Sequence, residues 1–284
     1  GADRRGVAAA LGRGRYRRQL RGQAAAGRRL AQGEHQRQVG RGLEPDLRSP
    51  ESQPGAALHA FEVLEDVAPA TSPRAVELCD WLASVSLPDG GLPFALPLSL
   101  SAGTAPWWTA GDPSASSLQI TAAVAASAHR VAAHDAAVAA HPWLARATGY
   151  CLRAIEEMEG EPPAYVLAFS LGLLDAARGV HPEVSRLLPR LAAFVPRDGR
   201  VRVGGGTDDE ALHALDLAPH PDGPVRDLLA DDAVATDLVR LAGLQQDDGG
   251  WIVDYLPISP AGPLDWRGHA TVRALDVLGR HGAS

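Results

Sequence analysis

Lysine is missing from this 284-residue chain, in which all 27 basic residues are arginine. Chemistry that needs a lysine amine, such as a Schiff base or a neutral amine base, is thereby excluded. Cysteine is nearly as scarce, with only Cys79 and Cys151. Two cysteines so far apart offer neither a disulfide framework nor a C-x-x-C metal pair, so they read as small buried apolar residues in a reducing cytoplasm. Aromatics make up only 5% of residues. Long apolar runs are lacking too: the least polar stretch, Leu118 to Ala140, is interrupted by His129, Arg130, His134 and Asp135. That stretch is too polar for a bilayer-spanning helix, and no membrane segment is expected. The chain starts at Gly1 and shows no basic, apolar, small-residue series of a secretion signal.

What is present suits a globular protein, with 45% hydrophobic and 21% charged residues and enough length for one large core or two modest ones. Charge is unevenly divided. In residues 1–42 arginine far outweighs Asp3 and Glu34, whereas residues 43–284 are strongly acidic. A basic arm on an acidic body could bind nucleic acid. This arm has one aromatic, Tyr16, and no nucleic-acid module's motif, so no nucleic-acid partner is expected. The character changes at Gly42 without a Pro/Gly/Ser linker. Residues 1–42 therefore read as a segment apart, either a loosely helical basic tail or an out-of-frame translation. A one-base shift of QGEHQRQVG permits a string such as ANTNGRW, which would restore a turn motif found later in the chain.

Beyond residue 43 the dominant signal is repetition. LASVSLPDGGLPFALPLS from Leu82 aligns with LAGLQQDDGGWIVDYLPIS from Leu241, and LAAFVPRDGRVRVGG from Leu191 is a looser copy. Each is the end of an apolar helix, an Asp-Gly turn and an extended run. Glycine supplies the positive φ with which a helix ends and reverses. Between the turns, helices are predicted from Glu51, Ser116, Pro162, Asp208 and Asp265, alternating with partners over 73–86, 142–158, 182–194 and 225–246. No β-branched run of strand length competes. The expected fold is all-α, an α/α toroid of about five to six antiparallel helical hairpins over residues 43–284.

The segment QQDDGGW, Gln245 to Trp251, matches the Q-x-x-x-G-x-W element of squalene and hopene cyclases. On that motif and its degenerate copies at Ser86 and Phe194, residues 43–284 resemble the terpenoid cyclase and protein prenyltransferase toroid superfamily. They are also similar to small actinobacterial proteins with prenyltransferase or squalene-oxidase repeats. The resemblance implies an isoprenoid or other small apolar ligand in a central cavity. The acid motif D-x-D-D does not occur; TDDE at Thr207–Glu210 and ADDA at Ala230–Ala233 do not fit it. Asp265-Trp266-Arg267-Gly268-His269 places a histidine one residue late for the superfamily's zinc site, and no D-x-C completes it. Zinc is therefore not expected. The 5% of aromatics counts against holding carbocations.

If the helices ring a cavity, the amino-terminal ends of one set surround its mouth and favour anions. There Asp208, Asp209, Asp265 and His269 are the candidates for chemistry. Glu51, Gln53, Gln119, Glu210 and Arg267, with Trp107 and Trp108 in the preceding loop, are candidates for holding a substrate. A diphosphate would need a divalent ion such as magnesium beside so many acids. Each of these residues has an ordinary alternative: a helix cap or first-turn residue, a satisfied core histidine, or an apolar plug. The loop Leu43 to Ser52 concentrates Glu44, Asp46, Arg48 and Glu51, which could bind a cation or pair charges across the mouth. The readings left open are an isoprenoid-binding enzyme, a non-catalytic binding or scaffold toroid, and a carbohydrate-active (α/α) barrel with paired carboxylates such as Asp209 and Asp265.

Overall fold

The computed structural model describes residues 43–206, 210–253, 258 and 261–282. The readings made above for residues 1–42, and for Asp208 and Asp209, lie outside them. The described residues are 55% helix, as an all-α reading requires. The helices are α1 (Pro54–Asp66), α2 (Pro73–Val85), the short α3 (Pro106–Ala110), α4 (Leu118–Ala132), the short α5 (Ala136–Ala139), α6 (Pro142–Glu156), α7 (Ala164–Ala177), α8 (Val184–Ala192), the short α9 (Ala214–Leu217), α10 (Asp231–Gly243) and α11 (Gly262–Arg280). No described helix is long and apolar enough to cross a membrane.

Local chemistry sets the helix starts. Proline opens α1, α2 and α6, where its missing N–H has no helical partner to lose. Ser72 and Ser117 accept hydrogen bonds from the first turns of α2 and α4. One expected helix is corrected. The run from Asp208 was read as helical, but Ala211–Leu212 (β2) pairs antiparallel with Val201–Arg202 (β1), and helix begins only at Ala214. The Asp198-Gly199 turn delivers β1 beside this segment, so backbone pairing captures residues whose spacing alone suits a helix. With Pro219 close behind, a single turn, α9, is left.

Helix α4 is buried at every position from Ile120 to His129, which suits a helix enclosed on all sides. It packs against α1, α6 and α7; α7 also meets α8 and α9, α9 meets α10, and α10 meets α11. One core gathers Leu47, Phe61, Leu78, Leu82 and Trp143 around α4. A second joins Ile155, Leu167, Leu171, Leu187 and Leu215. Cys79 and Cys151 are free and buried in the first, as apolar filler.

The repeated turn is conserved in its bonds. After α2, Leu87 N–H donates to Gly91 O and Gly90 N–H to Leu87 O, at 2.8 and 2.9 Å. After α10, Gln246 and Gly249 do the same with Gly250 and Gln246, both at 2.8 Å. Gly90 and Gly249 have φ of 96° and 87°, where a side chain is disfavoured. The next residue docks on the following helix in both copies. Leu92 N–H donates to Thr121 Oγ1 at 2.8 Å, and Trp251 N–H to Thr271 Oγ1 at 3.0 Å. Each threonine in turn donates 2.7 Å back to the carbonyl four residues earlier, Ser117 or Arg267.

Candidate functional site

The first and last of the described helices face each other through polar side chains. On α1, His59 and Glu62 lie one turn apart on one face, as i, i+3 spacing requires. On α11, Trp266 and His269 share the same spacing. The loop before α1 adds Glu44 and Asp46. That loop is fixed by Leu47, fully buried, and by Ala105 N–H donating to Asp46 O at 2.9 Å.

His59 is the centre of this cluster, its side chain only 11% exposed. Its Nδ1 lies 2.9 Å from Glu62 Oε2 and its Nε2 3.3 Å from Glu44 Oε2. His269 Nε2 lies 3.5 Å from the same Glu62 oxygen. The two imidazoles meet edge to face with centroids 5.1 Å apart, and Trp266 stands edge-on to His269 at 5.6 Å. Nitrogen or oxygen atoms of His59, Glu62 and His269 all fall within 4.8 Å of one another. Three side chains from two helices far apart in the sequence therefore aim at one point.

The electrostatics follow from burial and pairing. Burial alone would lower His59, but the hydrogen bonds and charges of Glu44 and Glu62 outweigh it and raise it to about 10. For Glu62 burial pushes upward, and His269 and His59 overcome it, holding the carboxyl well below its usual range. Asp46 is raised, chiefly by burial, against the opposing hydrogen bond of Trp266. At the far end of α1, the surrounding protein and then the charges of Asp276, Glu65 and Glu62 raise Asp66 to about 6.

The sequence candidates are placed as follows. His269 belongs to the cluster. Asp265, one turn earlier, pairs with Arg48, so charge pairing between the first loop and the start of α11 is present. Gln53 is fully buried and clamps Leu96, accepting from its N–H at 2.7 Å and donating to its carbonyl at 3.2 Å. Glu51 accepts from Ser49 and from Ser99 N–H at 3.3 Å, bracing the same loop. Arg267 pairs with Asp248 beside the turn before α11. Glu210 continues the β1–β2 pairing by accepting from Val203 N–H at 3.0 Å. Gln119 is half-buried in the first turn of α4. Gln53, Glu51 and Arg267 are thus committed to backbone or turn, and Arg267 and Glu210 stand apart from the histidine cluster.

Trp108, only 6% exposed, lies against Phe94 with centroids 5.1 Å apart and touches the start of α1 at Gly55. It fills the plug role. Trp107 is 46% exposed. Trp251 donates its indole N–H 2.7 Å to Leu241 O, and Gln245 donates 3.1 Å to Gly249 O, so the Gln245–Trp251 element works as packing.

His59 and Glu62 were not singled out as site residues from the sequence, whereas Glu44 was, in the Leu43 to Ser52 loop read as able to bind a cation or pair charges. The signal was present in H-x-x-E at His59–Glu62, two metal-competent side chains on one helical face. Comparison with known protein families and with curated proteins returns no match for this chain.

Proposed function

We propose that residues 43–284 form an α/α toroid of the terpenoid cyclase and protein prenyltransferase type. We propose further that the protein is a binding module, taking up a small cationic ligand between its first and last helices rather than cyclising an isoprenoid. The ring reading is supported by the succession of contacts α1–α4–α7–α9. Arg273 of α11 reaches Asp216 of α9 at 2.6 Å, and Arg48–Asp265 and Glu62–His269 link α11 back to the start of the chain. The repeated turns support it also.

The functional reading is carried by the acidic face between α1 and α11. Glu44, Asp46, Glu62 and Asp66 line this face with Asp265 and Asp276, and the arginines in reach, Arg48, Arg273 and Arg280, are fewer. Well-packed apolar residues would commonly give equal or greater stability than such partly buried charges. Their retention here points to use. The isoprenoid reading finds less support. Phe61 is stacked on Trp143 in the core, Trp108 lies tilted against Phe94, and Trp251 is held by Leu241.

Thermal denaturation of the full chain with spermidine, with divalent cations, and with geranylgeranyl diphosphate plus magnesium tests this reading. Saturable stabilisation by a cation and none by the prenyl diphosphate is expected. Stabilisation by the prenyl diphosphate alone would overturn it in favour of the isoprenoid enzyme.

A further inference from the structure

We infer that His59, Glu62 and His269 bind one first-row divalent metal ion such as zinc, with Glu44 orienting His59 from its far side. The inference rests on the cation-binding reading above and narrows it to a ligand set and a metal class.

Tetrahedral zinc with nitrogen and oxygen ligands at about 2.0–2.2 Å sets those atoms roughly 3.4 Å apart. Glu62 Oε2 already lies 2.9 Å from His59 Nδ1 and 3.5 Å from His269 Nε2. All three ligand atoms fall within 4.8 Å of one another. The second nitrogen of His59 faces Glu44 Oε2 at 3.3 Å. A carboxylate on the far nitrogen of a ligating imidazole is the usual outer-shell support, fixing its tautomer and raising its basicity. Glu44 is itself buried, 7% exposed, and anchored by accepting from Asp46 N–H at 3.3 Å. The His269 side chain is 30% exposed, which gives an ion a way in and leaves room for water as a further ligand.

Two imidazoles and one carboxylate suit zinc, cobalt or nickel. Magnesium and calcium prefer all-oxygen shells. The donor set differs from the Asp, Cys and His set sought in the sequence, which is why that search expected no zinc.

The test is titration of chelator-treated full-length protein with cobalt and zinc, followed by visible absorption and calorimetry. One equivalent should bind, with cobalt d–d bands that zinc abolishes, and magnesium should not compete. His269→Ala, at a partly exposed position that should fold normally, should weaken zinc binding by more than about a hundredfold, and Glu44→Gln by about 10–100-fold. No saturable binding of either metal, or binding unchanged in both H269A and E62Q, would overturn the inference and leave the cluster an ion-pair network. If spermidine stabilises the protein while zinc and cobalt do not, the metal site fails and the cation-binding reading stands. If no cation acts, both fail.

Discussion

Two helix interfaces of this protein use opposite chemistry. Where α4 meets α7 the contact is built from small and aliphatic side chains, with Ala122, Val124, Ala125 and Leu173 fully buried in one core. Where α11 faces α1, histidines, carboxylates and arginines meet across the gap. The difference teaches that one repeated architecture can close one interface by packing and leave another open to chemistry. Stability should therefore reside in the first region and ligand binding in the second, and substitutions should separate the two.

The largest effect should come from the apolar side. Trp143 is fully buried and stacks on Phe61 at 6.3 Å. Trp143→Ala should destabilise the protein by about 3–5 kcal/mol in chemical denaturation, whereas zinc affinity measured well below the denaturation midpoint should hardly change. A matching loss of affinity would mean that the regions are not separable.

Next comes His129, a buried polar exception on α4, whose Nε2 lies 2.8 Å from Thr148 Oγ1. Burial, then the charges of His181 and Arg130, lower it to about 4 from an ordinary value of 6.5. The folded state therefore holds it neutral where the unfolded chain would bind a proton. Its contribution to stability is complete above about pH 6.5 and is lost as pH falls toward about 4, a change of about 3 kcal/mol. His129→Gln should remove that dependence, so the stability gap between wild type and variant should narrow by about this amount on acidification. A gap that stays constant from pH 7 to 4 would contradict the account.

A smaller effect compares the two copies of the turn. Thr121→Val and Thr271→Val each leave a buried backbone N–H, of Leu92 or Trp251, without its acceptor. Each should cost about 1–3 kcal/mol. Similar losses would confirm that the bond is a repeated device, and a loss at only one would show that the copies have diverged in use. Smallest is the Arg48–Asp265 pair, whose side chains are 25% and 40% exposed. Asp265→Asn should change the unfolding free energy by less than about 1 kcal/mol, and less still in high salt.

The helices and the Asp-Gly turns were legible in the sequence because they depend on local periodicity and on glycine. The threonines that receive each turn were not, since Leu92 to Thr121 and Trp251 to Thr271 differ in loop length and no fixed offset links them. His269 was read as a candidate for chemistry at the start of a late helix, beside Asp265, because a histidine in a first turn near an acid is visible in the sequence. His59 and Glu62 were missed because a polar pair at i, i+3 within an apolar run looks like a solvated face. Only the meeting of α1 with α11, at opposite ends of the chain, turns that face inward. The helix expected from Asp208 failed for a related reason: backbone pairing with Val201–Arg202 is invisible to local spacing.

The central claim is that the first and last helices bring His59 and His269 together, and ring-to-ring contact tests it most directly. In the full chain carrying ¹³C-labelled histidine and tryptophan, nuclear Overhauser cross-peaks should connect the ring protons of His59, His269 and Trp266, given centroids at 5.1, 5.6 and 6.4 Å. Peaks that vanish in H269A, leaving the His59–Trp266 contact, would match the structure. If His59 shows contacts only to residues of its own helix and the preceding loop, then α11 does not face α1, and both the charged interface and the metal site fall.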